Sequence, residues 1–211
     1  FTLILKRVSE DIEGNYAIFL FSGLIFWMAF VEMLRKGMRT LTLKRYLIEN
    51  IKVKKEDLYL STSLSITFAF LFNVLAYLIM TCLFGISFSF KILYLPILII
   101  NVFLIGCGTG MILSILFVHL RDITHIIDLL VVLGFWTSGI FFKADLILIR
   151  APLIYYFNPF VGIIDNVRNV TIYNKDPNLI TMNINIIIGI LIFMIGFKIV
   201  NKYAQHAMEK L

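Results

Sequence analysis

Apolar runs of membrane-spanning length recur along this chain, and they decide what it can fold into. Tyr16 to Leu34, Leu58 to Phe84, Ile92 to Val118, Ile126 to Phe142 with its flanks, and Thr181 to Val200 each read as a crossing. A crossing takes about 20 mostly apolar residues in helical form. The runs are continuous and do not alternate in polarity, which argues for a helical bundle and against a barrel of short strands. Composition closes the soluble option: 60% of the 211 residues are hydrophobic and 15% charged, too little charge to clothe a globular core. The predicted fold class is all-α, a single polytopic transmembrane domain over residues 1–211.

The charges between the runs set the topology. Arg35 to Asp57 carries Arg35, Lys36, Arg39, Lys44, Arg45, Lys52, Lys54 and Lys55, and reads as a cytoplasmic loop, because Lys and Arg are retained on that side. Arg121, Lys198, Lys202 and Lys210 fall on the same side. Lys6, Arg7, Lys91, Lys143, Arg150, Arg168 and Lys175 fall outside and are fewer. The opening Phe1 to Leu5 reads as the tail of a helix that starts upstream, followed by a polar link to Asn15. That gives six crossings in the intact protein, in the plasma membrane, with the C-terminus cytoplasmic and Asn201 to Leu211 a basic polar tail. The net charge of +6 does not point to nucleic acid, since the basic residues sit between hydrophobic segments and not on a polar domain.

The stretch Val118 to Val170 departs from this regular pattern. A charged turn, Leu120-Arg121-Asp122-Ile123, leads into the Ile126 to Phe142 run. A second apolar run follows, broken by Pro152 and Pro159 and too short to cross. Irregular backbone at membrane depth must be buried in protein or line a cavity, so this region is expected to dip and not span, which leans toward transport.

Chemical machinery is sparse. Cys82 and Cys107 lie inside apolar runs as small buried hydrophobes, and His119, His125 and His206 have no metal-ligand spacing. Gly106, Gly108 and Gly110 are packing residues inside a span and not a phosphate-cradling loop. Glu32 and Asp128 lie near the cytoplasmic ends of their runs, and no ladder of acids or histidines crosses the membrane. A membrane-embedded acyl or glycosyl transferase, the rival of another class, needs a general base and an acceptor site at one face. No His-Asp or paired-carboxylate cluster stands out to serve it. Two features fit contact with other molecules. In Leu41 to Ile51, Leu43, Tyr46, Leu47 and Ile51 share one helical face, suited either to the lipid interface or to a partner. Tyr155, Tyr156 and Phe157, next to Asn158, offer flat faces at the external mouth on which sugar rings stack. On chemistry alone, Arg121 and its neighbours are a topological turn.

Gly23-Leu24-Ile25-Phe26-Trp27 with Phe30 and Glu32, the basic amphipathic loop, Arg121-Asp122-Ile123, and Tyr156-Phe157-Asn158-Pro159 followed by Arg168 occur in an order that resembles the permease subunits of type-2 ATP-binding cassette exporters. That group handles O-antigen and capsular polysaccharides, teichoic acids and polyol phosphates. The resemblance covers essentially the whole chain. Gly139 stands where the family often has proline, and Lys55 where a proline is common before the acidic pair. The resemblance implies a homodimer of six-helix permeases with short external re-entrant helices over Pro152 to Val170, moving a lipid-linked glycan. It implies no cofactor on this chain, ATP being hydrolysed on separate nucleotide-binding subunits, so the chain is a transport subunit and not an enzyme. Leu43, Tyr46, Leu47, Arg121, Asp122 and Ile123 would then couple to the ATPase. Trp27, Phe30, Tyr155, Tyr156, Phe157, Asn158 and Arg168 are the candidates for the conduit. A type-2 permease for a drug or a lipid is the nearest alternative.

Overall fold

The computed structural model describes residues 16–46 and 54–208, and the described residues form helices joined by turns, with no strand among them. The uninterrupted apolar runs become α1 (Tyr16–Met38), α3 (Lys55–Leu83), α4 (Leu95–His119) and α9 (Leu179–Met208). These four are long and apolar enough to cross a membrane. A one-turn α2 (Thr40–Leu43) follows α1, and a 3-10 turn (Phe90–Tyr94) leads into α4. The remaining helices are α5 (Ile123–Thr137), α6 (Ala144–Arg150), α7 (Pro152–Phe157) and α8 (Pro159–Thr171). Phe1 to Leu5, Leu47 and Ile51 lie outside the described residues.

Helix α1 forms the axis of the bundle. Ile18, Phe26, Met33 and Met38 are almost fully enclosed along it, and α3, α4 and α8 pack around it. In a bilayer, lipid tails compete equally well for apolar side chains, so close backbone approach and matched polar pairs supply specificity. Both are present. A β-carbon at Gly37 of α1 would lie 2.8 Å from Gly110 Cα of α4, so the two helices touch backbone to backbone there. Tyr59 and Ser114 share a hydroxyl hydrogen bond of 2.6 Å between α3 and α4, and Tyr77 and Thr171 one of 2.7 Å between α3 and α8. Gly37→Val is therefore expected to force α1 from α4 and to cost about 1–3 kcal/mol, as overpacking does; a lowered melting temperature of the purified protein in detergent checks it.

Three segments differ from the sequence reading. The fourth apolar run does not continue as helix to Phe142: α5 has 15 residues and ends at Thr137. At 1.5 Å per residue it is about 22 Å long, short of the roughly 30 Å hydrocarbon layer. It stops because Gly139 takes a φ of +78° and the carbonyls that follow are turned toward another side chain. The broken external run becomes three short helices, with Pro152 and Pro159 opening α7 and α8. A first-turn N–H has no helical partner, so proline loses nothing there. Finally, α9 continues to Met208, through much of the stretch read as a polar tail. Ala204 and Ala207, one turn apart, are fully buried in a cluster with Leu41, Tyr59 and Val200, and Lys55 Nζ donates to Gln205 Oε1 at 2.7 Å.

Candidate functional site

Helix α5 stands away from the bundle. Ile127 is its one buried residue, while Leu129, Leu133 and Trp136 are exposed. The gap is a groove of about 760 Å³ walled by α1, α4, α5, the α7–α8 corner and Ile192 of α9. Its floor is aromatic. Trp27 lies edge-on to Phe160 at 5.1 Å between centroids, Phe30 lies 4.5 Å from Phe160, and Trp27 and Phe30 are 5.4 Å apart. Trp27 fits against α5 because position 134 is glycine: a β-carbon there would come within 2.6 Å of Trp27 Cη2.

The few polar groups of the groove are engaged locally. Thr109 donates to Ile105 O at 2.7 Å and Thr137 to Leu133 O at 3.0 Å. Asn158 Oδ1 accepts from Phe160 N at 3.0 Å, capping α8. No ionisable side chain lines the groove among the described residues. Such a surface holds molecules by aromatic and apolar contact and has no group for proton transfer. Likewise, among the described residues no three His, Cys, Asp or Glu side chains gather around a point where a metal ion would sit.

The sequence candidates separate into groups. Trp27, Phe30 and Asn158 come together in the groove. Tyr155 is half-buried in α7, where Leu153 and Ile154 supply the groove wall; the side chains of Tyr156 and Phe157 lie outside the described residues. Arg168 is elsewhere, 2% exposed beneath α1. It donates to the carbonyls of Gly139 (2.8 Å), Phe142 (3.3 Å), Ile140 (2.7 Å) and Phe19 (3.1 Å), and to Ser22 Oγ (3.2 Å). Its guanidinium carbon also sits 3.4 Å from the centroid of the Phe19 ring. Gly23 leaves room for it, since a β-carbon there would lie 3.1 Å from Arg168 Nη2. Arg168 thus ties α8 to α1 and to the turn after α5.

At the other end of α5, Arg121 and Asp122 are exposed in a tight turn in which Ile123 N donates to Leu120 O at 3.2 Å and His125 N to Asp122 O at 3.1 Å. Asp122 occupies the N-cap position of α5, but its side chain makes no capping hydrogen bond. Neither side chain has a partner among the described residues. Leu43 and Tyr46 are 74% and 72% exposed, and the buried anchor of their segment is Leu41. Lys44 holds the segment to α3, donating to Thr62 Oγ1 at 2.8 Å and Leu58 O at 3.3 Å, and burial lowers its pKa below the ordinary lysine value. Leu43 and Thr124 line one cleft of about 400 Å³, so the two predicted coupling segments flank a common opening. Sequence reasoning missed Gly134 and Phe160; the aromatic spacing Trp27–Phe30 was visible, but its partner on α8 is more than a hundred residues away.

Four spanning helices, a cluster of short helices at one end and a neutral groove beside a detached helix define a polytopic α-helical membrane protein. Within that class the chain is similar to two curated proteins of Klebsiella pneumoniae, each an O-antigen export system permease protein RfbA. They are 23% and 24% identical to it over 207 residues, which is 98% of this chain and 80% of each relative. This bears out the resemblance to type-2 ATP-binding cassette permeases. No family model matches the chain.

Proposed function

We propose that this chain is the membrane-spanning subunit of an exporter that moves a lipid-linked polysaccharide, or a related polyol-phosphate polymer, outward across the plasma membrane. The observation that carries this reading is the similarity to O-antigen export permeases over nearly the whole chain. The groove supports it. A polymer advances only past contacts that are individually weak and tolerant of sequence, and ring faces such as those of Trp27, Phe30 and Phe160 supply them, much as aromatic platforms do for single-stranded nucleic acid. Asn158 stands at the α7–α8 corner of that path, with Tyr155, Tyr156 and Phe157 proposed as its outer rim.

ATP is hydrolysed on separate nucleotide-binding subunits, which dock on the Arg121-Asp122-Ile123 turn and on the segment carrying Leu43, Tyr46 and Leu47. Movement of that turn tilts α5 and alters the groove width. Two copies of the chain form the translocating unit, with the C-terminus in the cytoplasm. Gly134→Leu tests the groove: the added side chain displaces Trp27, so surface glycan is expected to fall severalfold while the protein still inserts in the membrane. Unchanged surface glycan with normal insertion would remove the groove from the path.

A further inference from the structure

A second groove, of about 530 Å³, runs along the opposite side of the α1–α5 gap. Its walls are Trp27, Met28 and Val31 from α1 and Val131, Val132 and Phe135 from α5. From Trp27 to Arg35 it extends about 12 Å along α1, at the helical rise per residue. Met28 and Val132 are 60% and 54% exposed, so the groove opens sideways, toward where lipid chains lie. At one end the lining changes from apolar to ionic. Glu32, Arg35 and Lys36 close it, and Arg35 and Lys36 also line the neighbouring cleft with Arg39 and Asp128. Arg35 pairs with Asp128 at 2.8 Å and Lys36 with Glu32 at 2.6 Å, whereas Arg39 has no partner among the described residues.

These three cations and two carboxylates leave one net positive charge at the end of an apolar slot. We propose that the slot holds an acidic glycerophospholipid of the bilayer, its chain against Trp27 and its phosphodiester on Arg39 and Arg35. Three features select this occupant. The sideways opening admits molecules from the bilayer. A singly charged phosphodiester neutralises the site, whereas a zwitterionic headgroup brings a second cation to it. Arg35 and Arg39, four residues apart, stand on one side of the α1 terminus, and a guanidinium can take two phosphate oxygens at once. Because Leu43 and Thr124 line the same cleft, the lipid stands between the two proposed coupling segments, and its occupancy sets how firmly α5 is held to α1. The lipid site does not depend on the cargo, so it holds or fails separately from the export reading.

Trp27 makes the test direct. The 211 residues hold two tryptophans, Trp27 and Trp136, so Trp136→Phe, together with Phe at any tryptophan the full-length protein carries outside this sequence, leaves Trp27 as the reporter. This protein is reconstituted in vesicles containing either brominated phosphatidylglycerol or brominated phosphatidylcholine at equal mole fraction. The expected result is stronger quenching by the phosphatidylglycerol, with a relative association constant falling about fivefold for each of Arg39→Gln and Arg35→Gln, the scale of one cation at an anionic lipid surface. Quenching by phosphatidylcholine reports that Trp27 keeps its place, and Arg39→Gln removes a side chain with no partner to lose. Equal quenching by the two lipids, a preference that survives both substitutions, or an equal loss in Lys198→Gln overturns the proposal. So does erasure of the preference by inorganic phosphate, which assigns the cleft to a soluble anion.

Discussion

Replacing Arg168 with alanine is expected to cost the most stability of any single change in the chain. Five hydrogen bonds leave this one side chain, four to backbone carbonyls and one to Ser22. A buried acceptor left without a donor costs about 1–3 kcal/mol, and even with partial relaxation the loss is expected to reach roughly 3–5 kcal/mol. The position concentrates the damage. The carbonyls of Gly139, Ile140 and Phe142 belong to the turn that ends α5, so their release frees α5 and α6 from α8 together. Arg168→Lys is expected to recover little, because an ammonium offers three donors from one point and cannot span Phe19 on α1 and the turn after α5 as the fork does. Melting temperature in detergent and yield of inserted protein check this; a near-wild-type Arg168→Ala would show that the carbonyls find other donors.

The second large effect is expected at Arg121 and Asp122, and it should leave the fold intact. Both side chains are exposed and without partners among the described residues, and Asp122 does not cap α5, so little within the chain depends on them. If the turn served only to orient the chain, Arg121→Lys would be silent, because topology responds to positive charge and not to guanidinium shape. Docked into an ATPase, the planar fork makes paired hydrogen bonds that lysine cannot copy, and the loss of a buried charged contact costs roughly 2–5 kcal/mol. Arg121→Lys and Asp122→Ala are therefore expected to insert normally yet to co-purify weakly with the ATPase, or to permit ATP turnover without export. Wild-type co-purification, turnover and surface glycan in both variants would return the turn to a purely topological role.

Sequence reading reached the spans because apolar length is a local property: α1, α3, α4 and α9 sit where continuous hydrophobic runs place them. It reached the starts of α7 and α8 because Pro152 and Pro159 constrain their own first turns. It did not reach the end of α5, which is set jointly by Gly139 and by Arg168, 29 residues further on. For the same reason the sequence does not show the tie that Arg168 makes: nothing near position 168 reveals acceptors on Phe19 and Ser22, almost 150 residues earlier. The extension of α9 was hidden by Asn201, Lys202 and Gln205, whose polarity masks the Ala204–Ala207 stripe that packs on Leu41 and Tyr59. Of the groove, Trp27, Phe30 and Asn158 were named from sequence; the glycine that seats Trp27 and the ring of Phe160 are tertiary features.

Export of a lipid-linked glycan by this chain is tested most directly by removing its gene and following the surface polymer. The account predicts that the glycan disappears from the cell surface and accumulates inside, still attached to its lipid carrier. The wild-type gene should restore it, and the gene carrying Gly134→Leu should restore it poorly. Full surface glycan in the deletion strain, with no internal lipid-linked pool, would contradict the account.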